Sequence, residues 1–152
     1  MIRHVSLEKS TYADPPARFE AGTPHIAGCI GLGAAIDYLN RIDLEAAAAY
    51  ENELFSYATD ALSEVSGLRI IGTARKKVSV ISFVMDGVHP HDVGTIVDQQ
   101  GVAVRAGHHC AQPVMRHFNI PATTRAATAF YNTREDIDTL VHALHTAHEV
   151  FN

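Results

Sequence analysis

The chain has 152 residues, of which 47% are hydrophobic. That length suits one compact domain, which buries roughly two thirds of its unfolded surface. The formal net charge of -5 and the absence of any Lys or Arg run argue against a surface for nucleic acid or an anionic membrane. Cys29 and Cys110 fit no disulfide framework, and no apolar stretch reaches the ~20 residues of a membrane span. We therefore expect a cytoplasmic protein whose partners are proteins and small molecules.

The first predicted elements are a strand and a linker. Residues 1–7 alternate apolar and polar side chains, as a half-buried strand does. Pro15-Pro16 and Gly22-Thr23-Pro24 then predict irregular structure, because proline removes a backbone donor and fixes φ. Since nothing like a leader or cap precedes the strand, we expect the chain to be a fragment of a longer fold.

Two helices are predicted next. From Ile26 to Leu39, small residues alternate with large apolar ones, which is typical of a helix packed closely against another element. Asp43 can cap a second, long helix that continues to Gly67. Its apolar residues recur at helical spacing, namely Leu44, Ala47, Ala48, Phe55, Ala58, Leu62 and Val65.

The rest of the chain mixes strands with helices. Two β-branched runs, residues 68–71 and 78–85, predict neighbouring strands. A short helix is predicted over 92–100, and strands over 102–104 and 125–131. Thr133 caps a last helix, whose apolar stripe is Ile137, Leu140, Val141, Leu144, Val150 and Phe151. Together these elements predict an α+β fold, with a short mixed or antiparallel sheet covered by helices.

Reactive side chains are densest in residues 105–113, Arg-Ala-Gly-His-His-Cys-Ala-Gln-Pro. A cysteine preceded by two histidines and an arginine has positive charge and proton acceptors nearby, which favour the nucleophilic thiolate. Free cysteine is also a common small core residue, so Cys110 keeps both interpretations at this point. The planar fork of Arg125 suits a carboxylate, and Thr23 precedes a helix where an anion can bind. Taken alone, both signals are weak.

The same residues resemble the C-terminal part of SUF-type cysteine desulfurases. These enzymes depend on pyridoxal 5'-phosphate (PLP), belong to the class V aminotransferase family and include selenocysteine lyases. The likeness is carried by residues 105–113, Arg125-Ala126 and Tyr131-Asn132-Thr133, and it continues through residues 18–24 and 31–39. It implies the small C-terminal domain of fold-type I PLP-dependent transferases. Residues 1–24 would end the large-domain strand and linker, and residues 25–152 would form the small domain.

The resemblance implies roles for the matching residues. Cys110 would attack the sulfur of PLP-bound cysteine, giving alanine and an enzyme persulfide. A sulfur-acceptor protein would then receive the sulfur for iron–sulfur cluster assembly. Arg125 would bind the substrate carboxylate, while Arg105 and His109 would line the same pocket. The resemblance leaves selenocysteine open as the substrate.

The cofactor contacts implied by the resemblance are incomplete. In the family's homodimers, the segment matching Gly22 and Thr23 reaches the cofactor phosphate of the other subunit. His25 stands where the family often has asparagine. The family's PLP-anchoring lysine follows a histidine, which is true of none of the lysines here, Lys9, Lys76 and Lys77. We expect PLP in the complete enzyme, but neither PLP binding nor activity in this chain alone.

Two other classes of function remain as alternatives. One is a PLP-independent sulfur-carrier module that uses Cys110, and the other is a His/Cys metal-binding domain. The ten histidines motivate the second, with His108 and His109 as ligands beside Cys110. Zinc needs about four converging ligands, however, and the spacing of His142, His145 and His148 drifts around a helix. We therefore predict no metal site, and we expect Cys29 to be a packing residue.

Overall fold

The structure is a computed structural model that describes residues 1–151, and these residues divide into two compact units. The first unit is Met1–Asp43, and the second begins at Leu44. The expected division of the complete enzyme between residues 24 and 25 stays a prediction. No helix among residues 1–151 is long and apolar enough to cross a membrane.

The first unit contains a hairpin and a helix. β1 (Ile2–Val5) pairs antiparallel with β2 (Ser10–Tyr12), and every residue of β1 is exposed, whereas the alternation predicted a half-buried strand. β2 was not predicted, because three residues are too few to show a period. α1 (Ile26–Leu39) has the predicted bounds, but none of its residues is buried. Its close packing against another element stays a prediction.

The second unit is an antiparallel sheet with four helices, which confirms the predicted α+β class. The strands are β3 (Leu68–Ile71), β4 (Val80–Met85), β5 (Arg105–Gly107) and β6 (Thr123–Ala127). They lie in the order β3-β4-β6-β5, and each is antiparallel to its neighbours. The helices are α2 (Leu44–Ser63), α3 (Pro90–Gln99), α4 (Gln112–His117) and α5 (Arg134–Phe151).

Several predicted bounds were wrong: the helix predicted over 92–100 is Pro90–Gln99, and the strand predicted over 78–85 begins at Val80. Residues 102–104 are not a strand, because β6 pairs with Arg105–Gly107 instead, and Val102 and Val104 pack against the core just before β5 begins. β6 starts at Thr123 and ends at Ala127, because the chain turns where the Asn132 amide donates to the Ala129 carbonyl. α2 ends at Ser63 rather than Gly67, whose φ of +72° reverses the chain into β3.

The core lies between one face of the sheet and three helices. Alternation along β4 buries Ile81, Phe83 and Met85 on this face, and Thr124 and Ala126 of β6 lie opposite Phe83 and Ile81. The helices supply Leu54, Ala58 and Leu62 from α2, Val93 and Val97 from α3, and Ile137, Leu140, Ala143, Leu144 and Ala147 from α5. Val150 and Phe151, predicted for the α5 stripe, are exposed.

The predicted cap of α5 is confirmed. The Thr133 hydroxyl accepts a hydrogen bond from the Asp136 amide (3.4 Å), and the Asp136 carboxylate accepts one from the Thr133 amide (3.0 Å). This reciprocal pair is a capping box with aspartate in place of the usual glutamate. The hydrogen bond from the Thr133 backbone is the main cause that lowers the pKa of Asp136.

Replacing the central core side chain should strongly destabilise the second unit. Phe83 is fully buried in the central strand β4, so we expect Phe83→Ala to lower the free energy of unfolding by about 3–5 kcal/mol. Urea unfolding followed by circular dichroism measures this change. Glu64→Ala, on an exposed side chain, should leave the transition midpoint in place. A loss below about 1 kcal/mol for Phe83→Ala would contradict this account of the core.

Candidate functional site

Two arginines face each other on the side of the sheet that the core does not use. Thr124 and Ala126 of β6 point into the core, so Thr123 and Arg125 belong to the opposite face. Arg105 of β5 is directly opposite Arg125 in the ladder, which puts both side chains on that outer face. Arg125 is half-buried and Arg105 is exposed.

This pair of guanidinium groups suits an anion. Like charges directly opposite each other destabilise a sheet unless something of opposite charge lies between them. Within residues 1–151, neither guanidinium forms an ion pair or a hydrogen bond. Arginine forks bind carboxylates through two parallel hydrogen bonds, so a carboxylate is the ligand that this face fits best.

The candidate nucleophile lies on a tight turn directly after β5. The Ala111 amide donates to the His108 carbonyl (2.9 Å), which closes a four-residue turn around His109 and Cys110. Both central residues have positive φ, 55° and 58°, as in a type I′ turn. Cys110 is a free, exposed cysteine at the tip. Within residues 1–151, its thiol is therefore open to solvent.

His109 points back from this turn onto the sheet. Its Nε2 lies 2.9 Å from the Thr123 hydroxyl and 3.1 Å from the Thr123 carbonyl oxygen. Its Nδ1 is buried and has no hydrogen-bond partner in the described part of the chain. The turn is thereby joined to β6 two residues before Arg125.

Burial and nearby positive charge both lower the pKa of the His109 ring. Burial is the largest effect that lowers the pKa of His109, and the charges of Arg125, Arg105 and His108 lower it further. The hydrogen bond to the Thr123 backbone acts in the opposite direction and is outweighed. A protonated ring would also leave a buried N–H donor without a partner.

The predicted phosphate-binding residues lie in the first unit. Gly22 has a φ of +75°, and the space where a Cβ would stand is open. The Thr23 side chain is exposed, and it neither accepts nor donates a hydrogen bond within residues 1–151. The His25 ring packs so closely against Gly28 that a Cβ at that position would clash with it. The His25 side chain forms no capping hydrogen bond with α1. A free hydroxyl just before an uncapped helix start is a donor set that fits a phosphate.

Among residues 1–151, the histidines and cysteines do not gather around a metal position. No group of three or more His, Cys, Asp or Glu side chains in residues 1–151 is arranged to hold a metal ion. The His109 Nε2 is engaged in a hydrogen bond with the Thr123 hydroxyl. It is therefore not available as a metal ligand in the alternative that places His108 and His109 beside Cys110. The structure therefore gives the metal-binding alternative no support.

Comparison with known proteins identifies the family. The model of the family described as aminotransferase class-V matches residues 1–140. The chain belongs to the class V aminotransferase family. Among curated members, a cysteine desulfurase of Synechococcus elongatus is 52% identical over 144 residues, covering 95% of this chain and 23% of the relative. A probable cysteine desulfurase of Streptomyces coelicolor is 52% identical over 153 residues, covering 99% of this chain and 37% of the relative.

Solved structures in the family have the same fold. A cysteine desulfurase from Escherichia coli, in an S-sulfonic acid form, matches with a TM-score of 0.88 and 38% identity, covering 100% of this chain and 38% of that one. An apo cysteine desulfurase from Thermococcus onnurineus matches with a TM-score of 0.83 and 40% identity, covering 99% and 37%. The predicted fold and the resemblance to cysteine desulfurases are confirmed. This chain spans well under half the length of these relatives.

The structure joins most of the predicted site residues within the second unit. Arg105 and Arg125 pair in one ladder, and the turn with His109 and Cys110 follows from the same strand. Gly22 and Thr23 belong to the first unit. The roles predicted for these residues stay predictions. Sequence reasoning missed Thr123, for which the only signal was its position two residues before Arg125.

The depressed pKa of His109 predicts how its charge affects stability. The pKa of the unfolded ring is about 6.5, above the pKa of the folded ring, so the unfolded state binds the proton more readily. The part of the unfolding free energy that comes from the lowered pKa of His109 is fully present above about pH 6.5, and it is lost as the pH falls towards the pKa of the folded ring. We expect wild type to lose more unfolding free energy than His109→Gln between about pH 7.5 and 5.5, measured by urea unfolding. An equal loss in both proteins would refute the assignment.

Proposed function

We propose that the complete protein containing this chain is a cysteine desulfurase that moves sulfur from L-cysteine to Cys110 and releases L-alanine. The observation that carries the proposal is the exposed Cys110 on the turn that directly follows β5. β5 carries Arg105 opposite Arg125 of β6, and neither arginine forms an ion pair within residues 1–151. Such a site offers a nucleophile and an anion-binding surface from adjoining parts of one fold. The cysteine desulfurases among the relatives support the same reaction class.

The proposal includes PLP in the complete enzyme. Gly22 and Thr23 would hold its phosphate, because their free hydroxyl and open backbone suit that anion. The rest of the cofactor site, including the anchoring lysine, would come from the remainder of the protein. When bound, PLP supplies an electron sink for the charge that develops on the substrate carbon.

Arg125 would bind the substrate carboxylate through its planar fork, with Arg105 opposite it in the ladder. These strands are rigidly paired, so the carboxylate would fix the substrate's orientation. The Cys110 thiolate then attacks the substrate sulfur. A sulfur–sulfur bond forms as the carbon–sulfur bond breaks, and the carbon gains a proton to give alanine.

The product on the enzyme would be a persulfide at Cys110. The reaction balances without an outside oxidant, because the two-electron oxidation of the two sulfur atoms to a persulfide is matched by a two-electron reduction of the substrate carbon, which takes the electron pair of the broken carbon–sulfur bond and a proton to become the methyl group of alanine. Cys110 is exposed at the tip of its turn, so a cytoplasmic acceptor protein could take the outer sulfur for iron–sulfur cluster assembly. We propose a homodimer as the working form, since the phosphate contact carried by Gly22 and Thr23 would serve the other subunit.

Removing the proposed nucleophile should stop sulfur transfer but leave the cofactor in place. In the complete protein, we expect Cys110→Ala to abolish alanine formation from cysteine while the visible PLP absorbance stays unchanged. Cys29→Ala is the matched control, because Cys29 is also free and exposed but lies on α1. Near-normal turnover of cysteine by Cys110→Ala would exclude Cys110 as the nucleophile.

Removing the proposed carboxylate ligand should weaken substrate binding. We expect Arg125→Ala to raise KM for cysteine about 10- to 100-fold, because hydrogen bonds to charged groups contribute roughly 1.5–3 kcal/mol. Arg125→Lys should recover only part of this, since lysine keeps the charge but lacks the fork. Arg69→Ala, an exposed arginine on β3, is the control. Unchanged kinetics in Arg125→Ala would remove Arg125 from the site.

A further inference from the structure

The turn that carries Cys110 has an unfavourable backbone conformation. In the described chain, only three non-glycine residues have positive φ, and two of them, His109 and Cys110, are consecutive. Side chains with a Cβ seldom adopt this conformation, and turns of this kind usually contain Asn or Gly. Strained backbone of this sort persists only where the surroundings hold it.

The hydrogen bonds of His109 are the contact that holds this turn against the sheet. Thr123 is fully buried, and its hydroxyl has the His109 ring as its partner. Because neighbouring residues of a tight turn point apart, the ring that is fixed on β6 determines where the Cys110 side chain projects. Arg125 lies two residues further along the same strand.

The position of the ring proton follows from the acceptor. The Thr123 carbonyl oxygen can only accept, so the hydrogen bond to it requires a proton on Nε2. In the neutral ring, Nδ1 then carries a lone pair, and this atom is sealed from solvent without a partner. With Nε2 engaged and Nδ1 enclosed, the ring has no nitrogen directed at a substrate.

We propose that His109 is a positioning residue that fixes the Cys110 turn to β6 and so sets the direction of the thiol relative to the Arg125 side chain. This role replaces substrate binding, the role predicted for His109 from the sequence. The inference rests on the proposed desulfurase function, because the direction of the thiol affects the rate only if Cys110 attacks a substrate that Arg125 holds. It implies that the chemical step, rather than substrate binding, depends on His109.

Two substitutions separate the hydrogen bond from the backbone conformation. The Gln side-chain nitrogen reaches about as far as the histidine Nε2, so His109→Gln can still donate to Thr123. Asn tolerates positive φ well, but its shorter amide cannot reach the strand, so His109→Asn keeps the turn and loses the contact. His117→Gln, an exposed histidine on α4, is the control.

The test uses the complete protein and three measurements. We expect His109→Asn to lower kcat for alanine formation about tenfold or more, because small misplacements of a reacting group cost up to about 10²-fold. His109→Gln should recover most of this loss. KM for cysteine should stay within about twofold in both variants, since Arg125 binds the carboxylate. The iodoacetamide alkylation rate of Cys110, compared with that in the wild type, should also change little, because a small reagent needs no fixed direction of attack.

Each other outcome overturns the inference. A raised KM with unchanged kcat would make His109 a substrate ligand, and a parallel fall in alkylation would make it a modulator of thiol reactivity. If His109→Asn were as active as His109→Gln or more active, the backbone conformation of the turn would explain the rate, and the hydrogen bond to Thr123 would have no role. Failure of the function itself is distinguishable, because the wild type would then form no alanine. ¹⁵N NMR of the histidine rings still tests the contact in that case: a proton on Nε2 supports it, and one on Nδ1 refutes it.

Discussion

The pairing of β5 with β6 is the constraint on which the candidate site depends. Its register sets Arg105 opposite Arg125 and Gly107 opposite Thr123. The chain therefore leaves β5 directly beside Thr123, where His109 can reach back. Because side chains alternate along a strand, a slip of one residue would turn Arg125 into the core and bring a core residue to the outer face. The buried face of β6, with Thr124 and Ala126, fixes the register that the outer face uses.

The two faces of the sheet thus differ in role: the inner face forms the core, and the outer face carries the candidate site. Its inner face packs against α2, α3 and α5, where Phe83 and the helix leucines exclude water. Its outer face carries charge that has no partner within residues 1–151 and would be costly in a core. Thr123 is the exception, since it is fully buried although it belongs to the outer face. Its hydroxyl and carbonyl contact the His109 ring, so the site has a small ordered polar contact of its own.

The sequence predicted the elements better than it predicted the site's geometry. Periodicity located α1 and β3 correctly, because long apolar patterns and β-branched runs report on packing. It put a strand at residues 102–104 because Val-Ala-Val has high strand propensity, whereas the ladder is formed by Arg-Ala-Gly, which has little. The position of β5 is decided by pairing with β6, and local strand propensity carries no information about that partner. The positive φ of His109 and Cys110 was equally unpredictable, since histidine adopts this conformation only occasionally and cysteine rarely.

The resemblance supplied the candidate residues, but the geometry distinguishes how they would act. Arg105 and Arg125 sit in a hydrogen-bonded ladder, where little movement is possible, which suits groups that must orient a substrate. Cys110 sits at the exposed tip of a four-residue turn, which would suit a thiol that, in the proposed reaction, meets the substrate first and a separate acceptor afterwards. A nucleophile on a strand could be aimed well but could not serve two partners. A nucleophile on a loose loop could reach both partners but would be poorly aimed. A short turn tied to the sheet by His109 combines access with direction, and this is the reason to expect the tie to matter for rate more than for affinity.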